Sequence, residues 1–103
     1  GSAAFRFKPG ASVAVARRGG SSASFDCLNK YFGIAQMPVV GSTYWNMVYG
    51  RVPGEAEHDL EGMQTMQNLA KNMAWIMKCF ELGRKNDIAL PDTSAAVRTN
   101  FIR

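Results

Sequence analysis

Arg17, Arg18, Gly19 and Gly20, followed by Ser21, Ser22 and Ser24, are the residues of this chain best suited to hold a ligand. The two guanidinium groups are cationic donors. The glycines reach backbone angles that other residues avoid, and they let another molecule come close to the main chain. Any of the three serines can cap a helix that follows. Backbone N–H groups would then face outward beside the positive end of a helix dipole. The same residues also satisfy an ordinary strand-to-helix connection, because Arg-Arg-Gly-Gly by itself is a weak motif.

A second candidate group is the loop aromatics Tyr44, Trp45 and Tyr49. Aromatic side chains in a loop either meet a ligand or another subunit, or pack beneath the loop. His58, the one histidine, has no ligand partner at helical spacing and is expected on the surface. Cys27 and Cys79 match no zinc or redox spacing. Both fall among apolar helical neighbours and are expected to be buried, inert thiols. A metal site is therefore not expected.

These candidates need elements to position them. Residues 11–16 predict a strand buried on both faces, since Val13 and Val15 lie among small apolar residues. In open α/β sheets ligands bind at the carboxyl ends of the strands, which is where Arg17–Gly20 would lie. A first helix is predicted over about 22–32, with Phe25, Leu28 and Phe32 on one face and Gly33 as its cap. Residues 37–41 predict a second strand, which makes a βαβ unit with a parallel pair. Residues 42–59 read as a long loop. A second helix is predicted over about 60–82, capped by Asp59 and ended by Gly83. Its apolar face would be Met66, Leu69, Ala70, Met73, Met77 and Phe80, and Trp75, Cys79 and Leu82 widen it toward a subunit interface. Residues 1–10 form a lead-in, with Phe5–Lys8 either an edge strand or a connector. Residues 84–103 form a tail that Phe101 and Ile102 could anchor.

With 103 residues the chain is one domain at most. A hydrophobic fraction of 47% argues against wholesale disorder. The net charge of +4 is scattered, without a basic stripe carrying interleaved aromatics, so nucleic-acid binding is not expected. No apolar run approaches the about 20 residues of a membrane span. Two unpaired cysteines without a signal peptide fit the cytoplasm. Two parallel strands cannot close a core that matches so apolar a second helix. The chain thus reads as part of a larger α/β domain, and the missing initiator Met fits processing, truncation or cleavage. It carries neither Gly-x-Gly-x-x-Gly nor a Walker pattern.

Residues 8–20 (KPGASVAVARRGG) resemble the fourth-strand region of the flavodoxin-like NADPH-dependent FMN reductases, a group that includes iron–sulfur flavoproteins and related quinone reductases. Residues 28–32 (LNKYF) and 37–47 (MPVVGSTYWNM) resemble the next helix, the fifth strand and its loop. Residues 61–66 (EGMQTM) and 72–75 (NMAW) resemble the last helix, and 99–103 (TNFIR) the carboxyl terminus of one branch. The resemblance implies a flavodoxin-like parallel sheet with flanking helices, of which this chain holds only the carboxyl-terminal β-α-β-α portion. The family's phosphate loop, its third-strand loop and any cluster-binding cysteines lie upstream of such a portion.

By the same resemblance, Ala16, Arg17, Arg18, Gly19, Gly20 and Ser21 would lie against the isoalloxazine ring of FMN. Arg17 or Arg18 would stabilise negative charge near N1. Tyr44, Trp45 and Asn46 would sit near a flavin edge, that of a neighbouring subunit included. The implied activity carries electrons from NAD(P)H through FMN to a quinone or similar acceptor, with no side chain here acting as acid or base. Partners implied are the missing amino-terminal half or another chain, in a homodimer or tetramer. The isolated chain is expected to be inactive. The alternative is a non-catalytic flavodoxin-like fragment serving in assembly or partner binding.

Overall fold

The computed structural model describes residues 4–93 and 96–101. Strand β1 (Ala14–Ala16) leads into helix α1 (Ser21–Ile34), then strand β2 (Met47–Tyr49), a 3-10 turn (Glu55–His58) and helix α2 (Leu60–Lys85). The strands are parallel, with Ala14 opposite Met47 and Ala16 opposite Tyr49. The βαβ unit expected from the sequence is therefore present. Helix α1 packs on both strands and α2 packs on β2.

The second strand is not the one the sequence predicts. Of residues 37–41 only Val39 pairs, in a single parallel bridge with Gly10. Pro38 fits there because the bridge uses its carbonyl, which accepts from the Gly10 N–H, while the Val40 N–H donates to Gly10. The named strand is Met47–Tyr49, inside the stretch expected to be loop. Both segments belong to one interrupted strand. Three residues separate Gly10 from Ala14 on one side and seven separate Val39 from Met47 on the other, so the partner carries four extra residues. They leave the ladder as an excursion over 41–46.

Asn46 repairs the gap. Its side chain is 2% exposed. The amide Nδ2 donates to the Ser12 carbonyl at 3.1 Å, a group left without a strand partner by the excursion. The Ser42 hydroxyl lies 2.6 Å from Asn46 Oδ1 and 2.7 Å from the Tyr44 carbonyl, and its single proton serves one of them at a time. From the other side, Asn68 Nδ2 donates to the Thr43 hydroxyl and Asn72 Nδ2 to the Gly41 carbonyl.

Both helices run past the glycines expected to end them. Helix α1 stops in a Schellman motif with Gln36 in the left-handed region (φ 58°), where Met37 N–H returns to the Phe32 carbonyl. Helix α2 stops in the same way at Asp87 (φ 62°), where Ile88 N–H returns to Gly83. The start of α1 at Ser21 lies within one residue of the expectation, but its cap does not follow it. Gly20 is the N-cap, at φ 91°, and no serine side chain caps the helix. Asp59 does cap α2, accepting from the Gly62 N–H.

Leu69 is buried on α2 beside Gly62 and Thr65, with Met66 and Met73 half-buried. The rest of the expected face, Ala70, Met77 and Phe80, is exposed, as are Trp75 and Leu82. A helix of 26 residues is about 39 Å long, whereas a three-residue strand supplies about 10 Å of sheet. Only part of the helix has sheet beneath it. For the same reason Leu28 on α1 is exposed, and Cys27 and Cys79 are exposed thiols rather than the buried ones expected.

The buried apolar set is Ala14, Val40, Met47, Val48 and Leu69. Val13 and Val15, expected to be covered on both faces, are 41% and 65% exposed. The accessible surface is 8235 Å², against about 5,700 Å² for a folded monomer of this mass. The lead-in forms a turn rather than an edge strand, with Phe7 at φ 63° donating its N–H to Gln36. The tail docks in part, since Thr93 donates to Gln36 Oε1. Phe101 is exposed, and its expected co-anchor Ile102 lies outside the described residues.

Candidate functional site

The loop from Ala16 to Gly20 leaves the carboxyl end of β1. Its first residue is fixed by the ladder, where the Ala16 carbonyl accepts from the Gly50 N–H. Arg17, Arg18, Gly19 and Gly20 are all exposed. Among the described residues neither arginine forms a salt bridge. A Cβ added to Gly19 or Gly20 would meet nothing within 4 Å. Space is therefore open against the loop backbone, and only the positive φ of Gly20 demands glycine. The first main-chain bond into this end of α1 is Ser24 N–H to the Gly20 carbonyl, so the N–H groups of Ser21, Ser22 and Ala23 have no intrahelical acceptor. Exposed loop residues, two guanidinium groups without an ion pair among the described residues and a helix start occupy one place.

Ser21 differs from its neighbours. It is 3% exposed and its hydroxyl turns inward, 2.8 Å from the Tyr49 hydroxyl. Both hydroxyls reach Met47 Sδ, at 3.5 Å from Ser21 and 3.2 Å from Tyr49. One hydroxyl can donate to the other, and the remaining proton points at the sulfur. Tyr49 thus ties the helix start to β2. Sequence reasoning noted Tyr49 as a loop aromatic and missed this role. The available signal was the spacing of Met47 and Tyr49, which alternation places on one face of a strand.

Tyr44 and Trp45 occupy a different place. The excursion carries them outward, with the Trp45 ring 6.2 Å from Phe25 and 6.3 Å from Tyr44. Both rings are more than half exposed. They line an open groove of about 450 Å³ with Phe25, Asn29 and Val39, which the Ala16–Gly20 loop does not line. Asn46, grouped with them by the family resemblance, also borders this groove but is buried, with its amide bonded to Ser12 and Ser42.

Below the loop, Asp59 joins β2 to α2. Its carboxylate accepts from the Gly62 N–H at 3.0 Å and the Tyr49 N–H at 2.9 Å. These bonds, Gly62 first, hold its carboxyl below the ordinary carboxylate range. His58 is exposed in the 3-10 turn, and no cluster of metal-ligating side chains occurs among the described residues. Among those residues no helix is long and apolar enough to cross a membrane.

No protein-family model matches the chain, and no solved structure matches it. The chain is similar to an iron–sulfur flavoprotein of Methanocaldococcus jannaschii, at 34% identity over 80 residues. The match covers 71% of this chain and 42% of that protein, so the chain spans less than half the length of its curated relative.

Proposed function

We propose that this chain is the carboxyl-terminal, flavin-contacting portion of a flavodoxin-like FMN-dependent oxidoreductase that passes electrons from NAD(P)H to a quinone or similar acceptor. The observation carrying the proposal is the open Arg17–Gly20 loop at the carboxyl end of β1, in a chain similar to a flavoprotein. The residues fit one side of a flavin. Main-chain N–H groups of Gly19 and Gly20 would be donors for ring carbonyl oxygens, at glycines where an added Cβ would meet nothing within 4 Å, and Arg17 or Arg18 would offer a cation beside them. Bound FMN would supply the hydride and electron transfer. The protein's part is to hold the ring edge, offset its charge and leave one face accessible. No loop with the familiar phosphate-binding glycine spacing is present, so the phosphate contacts are assigned to residues beyond this chain.

The test uses the full-length protein. It should be yellow, with flavin bands near ~375 and ~450 nm, and should reduce quinones with NAD(P)H. A colourless protein without turnover overturns the proposal. The 103-residue chain alone should bind FMN at least a hundredfold more weakly, about 2.8 kcal/mol at ~1.4 kcal/mol per tenfold. A second reading, a non-catalytic piece that works by assembly, is favoured by the exposed Val13 and Val15. It fails if the chain alone is a stable monomer holding FMN at micromolar affinity.

A further inference from the structure

The Ala16–Gly20 loop has little of its own to hold its shape. Gly19 and Gly20 carry the largest entropy cost of ordering of any residue type. Helix α1 lacks a side-chain cap, and Arg17 and Arg18 have no ion-pair partner among the described residues. Restraint comes from the two ends. At the first, the ladder holds Ala16. At the second, Ser21 is buried against Tyr49 and Met47.

The register lets Tyr49 make that second contact. Met47 and Tyr49 lie beside Ala14 and Ala16, and the two alanines are the smallest side chains that could stand there. They leave the longer side chains of β2 room to reach the start of α1. The phenol hydroxyl is thereby brought to the first residue after the loop.

We propose that Tyr49 is a positioning residue for the Ala16–Gly20 loop, acting through the Ser21 hydroxyl. That the loop faces a flavin rests on the functional reading above; that Tyr49 sets its geometry does not. A loop held in place before binding loses less freedom on binding, which raises affinity without any new contact. Tyr49 itself need not touch the ligand.

The experiment compares wild type, Tyr49→Phe, Ser21→Ala and the double variant at the full length encoded by the gene. Amide exchange is followed at Ser24 and Phe25, the first bonded turn of α1, with Leu69 as the reference. Each single change should speed exchange at Ser24 and Phe25 by roughly two- to tenfold, while Leu69 stays unchanged. The double variant should be no faster than the quicker single one. FMN dissociation constants, measured well below the unfolding temperature, should rise by a similar factor in all three variants, with a shifted visible band for the bound flavin. A purely structural bond would lower the unfolding temperature and leave the constant and the band unchanged. Unchanged exchange in Tyr49→Phe, or effects that multiply in the double variant, overturns the assignment. Should Ser21→Ala fail to fold, Tyr49→Phe alone decides, since it removes one oxygen and keeps the ring. Exchange coupling in a protein that binds no FMN would leave Tyr49 as the loop's restraint and sink the flavin reading alone.

Discussion

Along the outer edge of β2 the Tyr49 N–H ends on the Asp59 carboxylate, and the Met47 N–H turns back to the Trp45 carbonyl. Along the outer edge of β1 nothing comparable happens. Ala14 and Ala16 direct their backbone groups to β2, so Val13 and Val15 direct theirs the other way. Among the described residues those groups have no partner, and the valine side chains are exposed with them. An edge with its donors taken up by a carboxylate and a tight turn is protected against further pairing. An edge of exposed valines with free donors is a template for another strand. The contrast leaves β2 as the protected edge of the sheet and β1 as the open one.

Proline at equivalent points of the two strands gives the largest expected effect. Val48→Pro removes a donor to the Ala14 carbonyl inside the ladder and should abolish cooperative unfolding, followed by circular dichroism. Val15→Pro removes an N–H that faces the open edge. It should be tolerated in the 103-residue chain; under the proposed function, in which a further strand would pair there, the same change should unfold the full-length protein. Equal tolerance in both settings would break the contrast between the edges.

Asn46→Ala comes next. It leaves the buried Ser12 carbonyl unpaired and frees Ser42, so it should cost about 1–3 kcal/mol in denaturant unfolding. The loss should be localised at the excursion and leave the Ser21–Tyr49 contact intact, as a nuclear magnetic resonance shift map would show.

Asn46 also illustrates how far sequence reasoning reaches. The βαβ order, the Asp59 cap and the Arg17–Gly20 loop at a strand's end were legible, because periodicity, cap chemistry and glycine usage are local. The excursion was not. Four extra residues in one strand alter no local preference, so Met37–Gly41 looked like the whole strand and Met47–Tyr49 like loop. Glycine caps misled at Gly33 and Gly83, because Gln36 and Asp87 adopt the left-handed angle that ends each helix. Burial of the two cysteines failed for a third reason: apolar neighbours in sequence cover a thiol only where a sheet lies beneath the helix.

Of the two edges, acid should act on the protected one, beside a separate contribution from the exposed Glu81, which its hydrogen bond from Arg84 holds below its ordinary value. The carboxyl of Asp59 is held below its ordinary range by N–H groups that exist only in the folded state. A carboxyl lowered on folding contributes stability that is fully present above its unfolded pKa and is lost as pH falls through the folded one. The unfolding temperature should therefore decline on acidification below the ordinary carboxylate range, and Asp59→Asn should flatten that decline. Gly62→Ala tests the same corner without changing charge, since its added methyl would collide with the Asp59 carboxylate.

Trp45→Ala should have the smallest effect on the fold. The ring is more than half exposed, and its aromatic neighbours among the described residues are Phe25 at 6.2 Å and Tyr44 at 6.3 Å. An aromatic pair of this kind contributes about 0.5–1.5 kcal/mol when well packed, and exposure puts Trp45 at the lower end. The backbone around it is held independently, by Asn46, Asn68 and Asn72. Removing the indole should therefore leave the excursion in place and change thermal unfolding by a degree or two. An exposed indole on a firmly pinned backbone is an arrangement suited to contact with something outside the chain. If Trp45→Ala lowers oligomer affinity or flavin affinity in the full-length protein while stability holds, the excursion belongs to an interface. A large loss of stability with neither affinity changed would make Trp45 a packing residue and leave the Arg17–Gly20 loop as the one outward-facing site.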